Sequence, residues 1–203
     1  MGKANFVAER RDLYAPSPKE FTSVVVPAFR YLMIDGHGDP NTSPDYAAAV
    51  QALYALSYAA KFASKVQLDR DYSVLPLEGL WWAETPEAFI ARDKDAWSWT
   101  MMIRQPVELT SELWIAVRNK AARKDLPALS HVRLETFDEG LSVQIMHIGS
   151  YDAEGPTIAR MHGWIAANGY LERGVHHEVY LGDPRRAAPE RLRTILRQPI
   201  SPR

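Results

Sequence analysis

The chain has 203 residues, enough for one large domain or two fused small modules around a buried core. Lys and Arg number 24 against 25 Asp and Glu, a balance that excludes long-range steering toward nucleic acid or an anionic membrane. There is no cysteine, which removes disulfides, thiolate nucleophiles and Cys-ligated metals from consideration.

The first sixteen residues carry Lys3, Glu9, Arg10, Arg11 and Asp12 and lack the apolar stretch of a signal peptide. No apolar run approaches bilayer-spanning length, so a soluble, cytoplasmic protein is expected. Residues 1–20 read as a polar lead. From Phe21 to Ile34 an apolar, β-rich run is interrupted by Pro27, which predicts a strand with an irregular or edge segment at the proline. Asp35 to Asn41 is a Gly-containing polar loop, and His37 between Asp35 and Asp39 is explained by turn chemistry better than by metal binding. Ser43-Pro44-Asp45 then opens a helix with an N-cap, a proline at the first position and an acid on the dipole. That helix is expected to reach about Val66, with Tyr46, Val50, Leu53 and Tyr54 on its apolar stripe.

Ser73 to Trp82 reads as a strand, with Leu75, Leu77 and Trp81 on one face and Glu78, Leu80 and Trp82 on the other. Thr85-Pro86-Glu87 caps a short helix. Ala96 to Arg104 is extended, and Thr110 to about Lys124 is a connecting helix striped by Leu113, Trp114 and Val117. Val132 to Phe137 and Leu141 to Ile148 flank Asp138-Glu139-Gly140, which predicts a hairpin. A loop from Gly149 to Asp152 leads to a helix from about Pro156 to Asn168, closed by Gly169 in the left-handed conformation. Val175 to Leu181 reads as a strand ended by Gly182-Asp183-Pro184, and a last strand is expected around Thr194 to Gln198.

Alternation along that late strand turns Val175, Val179 and Leu181 toward packed helices and His176, Glu178 and Tyr180 toward an open face. The chain also reads twice as strand, Gly-containing loop, helix, strand, short helix, strand. Leu75 to Trp81 aligns with Val175 to Leu181, acid on acid. The expected fold is α+β: two fused strand-helix-strand-strand repeats, about 21–105 and 131–203, joined by the helix at about 110–124. Together they would make a curved antiparallel sheet with helices on one face and a ligand cleft on the other. Glu78 and Glu178 would then share the helix-free face. Six Trp and nine Tyr, four of the Trp at 81, 82, 97 and 99, supply both core and possible cleft walls.

His176-His177-Glu178-Val179-Tyr180-Leu181-Gly182-Asp183-Pro184, Pro76 to Trp82 and His147-Ile148-Gly149-Ser150-Tyr151 resemble the GyrI-like small-molecule-binding superfamily. The segment Tyr31 to Asn41 is similar to its stand-alone bacterial branch. The resemblance covers the chain from about Phe21. It implies a central cleft for a bulky, aromatic small-molecule ligand, met by the acid at Glu178. Some members carry a helix-turn-helix; too little chain precedes Phe21 for one, so no direct nucleic-acid role is expected. Some stand-alone members are hydrolases that open the cyclopropane of DNA-alkylating antibiotics of the yatakemycin and duocarmycin type.

Such a ring, conjugated to a dienone, is already electrophilic, so neither metal nor cofactor is required. A carboxylate must hold the attacking water, and a donor must meet the oxygen that becomes a phenolate. Glu178 is the expected base and Tyr180 the expected donor, with Tyr151 the alternative. Trp82, Trp97 and Trp99 are expected to stack the ligand, with Glu78, Tyr151, His147 and Met101 completing the cleft. His176 and His177 point to opposite faces and cannot chelate one metal together. Two other classes remain open: a drug-sequestering protein without turnover, and a gyrase-interacting protein. No membrane partner is expected, and the chain should be a monomer or weak homodimer.

Overall fold

The computed structural model describes residues 3–85, 93–106 and 109–203. In chain order the helices are α1 Phe6–Glu9, α2 Arg11–Tyr14, α3 Pro44–Gln67, α4 Ser111–Ala122 and α5 Gly155–Ala167. The strands are β1 Thr22–Val26, β2 Phe29–His37, β3 Leu77–Ala83, β4 Trp97–Arg104, β5 Arg133–Phe137, β6 Gly140–Ile148, β7 Tyr170–Glu172, β8 His176–Tyr180 and β9 Arg193–Pro202. The chain is therefore α+β, with antiparallel pairing in every strand register observed. The helix expected at Thr85-Pro86-Glu87 lies outside the described residues.

Two compact units form, and neither is continuous in sequence. One takes Met1–Glu9, Phe29–Leu75 and Trp81–Phe137. Its strands run β4-β2-β5, with the Trp81–Ala83 end of β3 beside β4. Helix α3 starts where the sequence places it: Ser43 Oγ accepts the Tyr46 N–H at 3.3 Å and Pro44 occupies the first helical turn. Its buried side is largely small, with Ala49, Ala52, Ala55, Ala59 and Ala60 around Leu53 and Leu56, which lets the helix lie close to its neighbours. Ser57, on the same side, meets Gln105 Nε2 at 3.3 Å. Helix α4 is capped by Thr110 Oγ1 and packs on α3 through Leu113, Val117 and Ala121, spaced four apart. Gly36 stands opposite Trp99 in the β2–β4 register, and a Cβ there would fall 2.0 Å from the indole. The glycine is what lets the Trp99 ring cross the strand.

The other unit takes Arg10–Ala28, Pro76–Leu80 and Asp138–Arg203. Its strands run β1-β6-β9-β8, with the Leu77–Leu80 part of β3 beside β8 and β7 on β9. One face carries Val143, Ile145, Leu196 and Ile200 against Met161 and Ile165 of α5. The opposite face receives α2, where Leu13 and Tyr14 are buried. The polar lead is thus partly core. Gly169, after α5, has φ +77°, the left-handed cap the sequence predicts.

The strand-helix-strand-strand pattern recurs in both units: β2-α3-β3-β4 and β6-α5-β8-β9, with β8-β9-β6 in the same spatial order as β3-β4-β2. The fourth strand of each unit comes from the segment just before the other's first strand. β1 precedes β2 but pairs with β6, and β5 precedes β6 but pairs with β2. This corrects the expected hairpin, since β5 and β6 are neighbours in sequence and not in register. The link between them, Asp138-Glu139, cannot behave as a solvated turn because Glu139 is buried. Likewise the run from Phe21 to Ile34 is two strands, and Pro27, which has no N–H to donate, marks the break.

Candidate functional site

Strand β8 places Glu178 opposite Leu196 of β9, and Leu196 stands opposite Ile145 of β6. Directly paired residues of antiparallel strands share a face, so Glu178 lies on the side that packs on α5. The expectation of a helix-free face for His176, Glu178 and Tyr180 is overturned. Alternation fixes which residues go together, but the other face of this sheet is covered by α2, which the pattern does not reveal.

On that side Tyr180 Oη donates to Glu178 Oε2 at 2.8 Å, and His176 Nε2 lies 3.4 Å from Glu178 Oε1. His176 is buried, while the Glu178 side chain keeps 13% of its surface exposed. Tyr151, in the 3₁₀ turn Tyr151–Ala153 ahead of α5, sets its ring edge-on to Tyr180 with centroids 5.5 Å apart. His147, two strands from Tyr180 in the row His147–Thr194–Tyr180, contacts the carbonyl of Ser150 at 3.2 Å and Thr157 Oγ1 at 3.4 Å. Glu178, Tyr180, Tyr151 and His147 therefore gather in one unit. A carboxylate offers about four lone-pair sites, so the bond from Tyr180 leaves Glu178 able to accept from water as well.

The next residue, His177, faces the other way and is fully buried. Its Nε2 meets Glu78 Oε2 and its Nδ1 meets Glu139 Oε1, each at 3.0 Å. Glu139 also takes Arg197 Nη1 at 3.2 Å, and Arg197 reaches Gln144 Oε1 and the Leu13 carbonyl of α2. Gln144 Nε2 donates to the Asp12 carbonyl at 2.6 Å, and Arg173 donates to the Glu139 carbonyl. Burial alone would push His177 down, but Glu139 and Glu78 outweigh it and hold the imidazole up at about 9. Burial likewise opposes charge on Glu139, yet His177 and Arg197 bring it down to about 2. Glu78 thus belongs to this network. Its partner His177 faces away from Glu178 on the same strand.

The expected aromatic walls lie in the other unit. Tyr46 of α3 stacks on Trp81 at 6.2 Å and meets Trp99 edge-on at 5.3 Å, while Trp97 meets Trp81 at 5.8 Å. Trp99 and Met101 are buried in the core, whereas Trp97 and Trp82 are half-buried. Among the described residues no group of three or more His, Asp or Glu has the arrangement of a metal site. The expected loop from Asp35 begins later, because β2 runs on to His37: Asp35 lies within the strand, bound by Arg133 and Thr100, and Asp39 in the loop that follows holds Asn41. No described helix is long and apolar enough to cross a membrane. Sequence reasoning missed Glu139, Arg197 and Gln144; a lone arginine inside the apolar strand Ile195-Leu196-Arg197 was the available signal.

The fold and the sequence agree on relatives. A conserved protein from Listeria innocua is 41% identical over 98% of this chain and all of its own, with a TM-score of 0.90. Two hydrolases from Listeria innocua are 38% and 40% identical, each over 98% of this chain and all of that one, with TM-scores of 0.85 and 0.87. No curated protein matches the chain. The model of the GyrI-like small molecule binding domain matches residues 19–201, nearly the whole chain. By that match the chain belongs to the GyrI-like small-molecule-binding family.

Proposed function

We propose that this protein is a cofactor-independent hydrolase that adds water to the strained cyclopropane of DNA-alkylating aromatic natural products, as a detoxifying activity. The observation that carries the reading is the Glu178 carboxylate, partly open and held by the Tyr180 hydroxyl at 2.8 Å beside Tyr151. The hydrolases at 38% and 40% identity support the reaction class. The substrate class rests on the family resemblance alone.

In this mechanism Glu178 accepts a proton from water as the water oxygen bonds to the ring methylene. The cyclopropane C–C bond breaks, and its electron pair passes into the dienone, giving a phenolate that a donor protonates. Tyr180 spends its hydroxyl proton on Glu178, so it orients the base. The donor role falls to Tyr151, whose ring adjoins Tyr180.

The test pairs binding with product. Wild type and Glu178→Gln are titrated with a cyclopropane-dienone alkylator, and the ligand is then analysed by mass for added water. Loss of about 10²–10⁴-fold in turnover by Glu178→Gln with binding retained is the expected result. Binding by both proteins with no hydrated product would leave a sequestering protein in place of an enzyme.

A further inference from the structure

We infer that His147 is a positioning residue that acts by fixing Tyr151 and does not itself meet the ligand; the inference rests on the roles given above to Glu178 and Tyr151. His147 sits near the end of β6. Its Nε2 lies 3.2 Å from the Ser150 carbonyl oxygen and its Nδ1 lies 3.4 Å from Thr157 Oγ1. A carbonyl only accepts, so Nε2 carries the proton toward Ser150, and Nδ1 takes the Thr157 hydroxyl. Both ring nitrogens are engaged within the protein.

The same Ser150 carbonyl accepts the Ala153 N–H at 2.9 Å, the bond that closes the turn carrying Tyr151. One oxygen therefore ties the imidazole to that turn, and Thr157 ties it to the first turn of α5. Gly149 makes room for the arrangement. Its φ is +148°, and a Cβ there would stand 3.0 Å from His147 Nε2. Its own N–H is held by the Leu192 carbonyl at 3.0 Å. What the corner fixes is the Tyr151 ring against Tyr180, and through it the surroundings of Glu178. A donor to a developing phenolate helps only if it is in place before the reaction, and a misplacement of about 1 Å costs on the order of 10²-fold.

The full chain carrying 3-fluorotyrosine at position 151 gives a fluorine resonance that reports this ring without any ligand. In His147→Ala that resonance should shift or broaden. The kcat for the cyclopropane substrate should fall about 10- to 100-fold, while KM changes by less than about threefold. His147→Gln, whose amide N–H can reach the Ser150 carbonyl, should restore most of both readouts. Thr157→Val, close in shape, should produce a smaller change of the same sign and serves where His147→Ala does not fold. An unchanged Tyr151 resonance in the folded variant overturns the inference whatever the turnover. So does a rise in KM with kcat intact, which would mean that His147 meets the ligand. A shifted resonance in a protein whose wild type gives no turnover keeps the positioning role and removes the hydrolase reading.

Discussion

His177 and Glu178 are neighbours on one strand and belong to two different kinds of site. On the His177 side an imidazole, two carboxylates and a guanidinium are almost wholly out of water, each held by others of the set. On the Glu178 side a carboxylate meets an imidazole and a phenol but keeps an open edge. The chemistry of the groups is nearly the same, and burial decides what it can do. A fully buried set of charges stabilises only while complete. A partly open carboxylate retains the capacity to take a proton from something that arrives.

The largest expected effect breaks the buried side. Arg197→Met leaves Glu139 charged and short of a partner, which should cost about 3–5 kcal/mol in urea unfolding. A loss below about 1 kcal/mol would mean that the network is not a structural unit. The pH dependence comes next. His177 is raised from an ordinary 6.5 to about 9, so its contribution is complete below pH 6.5 and is lost as pH rises through 9. Glu139 is lowered from 4.5 to about 2, so its contribution is complete above pH 4.5 and is lost as pH falls through 2. Stability should therefore plateau between these limits and decline on the alkaline side by on the order of 3 kcal/mol. His177→Gln should flatten that alkaline limb.

On the open side the stability effects are smaller. Glu178→Gln keeps an acceptor for the Tyr180 hydroxyl, so unfolding free energy should change by about 1 kcal/mol or less even as turnover is lost. A collapse in stability would place Glu178 with the buried set. Smallest of all is a third imidazole–carboxylate pair, His162 Nδ1 to Glu172 Oε1 at 2.5 Å, which is well exposed. His162→Gln should alter stability by no more than about 0.5 kcal/mol, because water screens the pair. The three pairs thus form a graded series in which the same contact loses structural weight as it gains solvent.

Much of the frame is legible in the sequence because local chemistry decides it. Ser43-Pro44-Asp45, Thr110 and Gly169 set helix ends through bonds to their own backbone. The recurrence of Leu75–Trp81 in Val175–Leu181 gives the repeat. What is not legible is set by contacts distant in sequence. Glu139 looks like part of a solvated turn and becomes buried because Arg197 and His177, far along the chain, converge on it. Leu13 and Tyr14 sit in a polar lead and are buried because the sheet has a second face to cover. The same hidden cover inverted the assignment of faces: parity groups Glu178 with His176 and Tyr180, but only the register against Leu196 shows which side they occupy. His147 and Tyr151 were readable as a motif, yet the bond through Ser150 that joins them needed the fold.

The most direct measurement of the claim that the open carboxylate does chemistry is a count of turnovers in oxygen-18 water. Wild-type protein at substoichiometric concentration is mixed with a cyclopropane-dienone alkylator, and the product is followed by mass. One labelled oxygen per product molecule, over many products per protein and only background in Glu178→Gln, is the predicted result. Ligand bound one to one and recovered intact would contradict the account and leave Glu178 as a binding group.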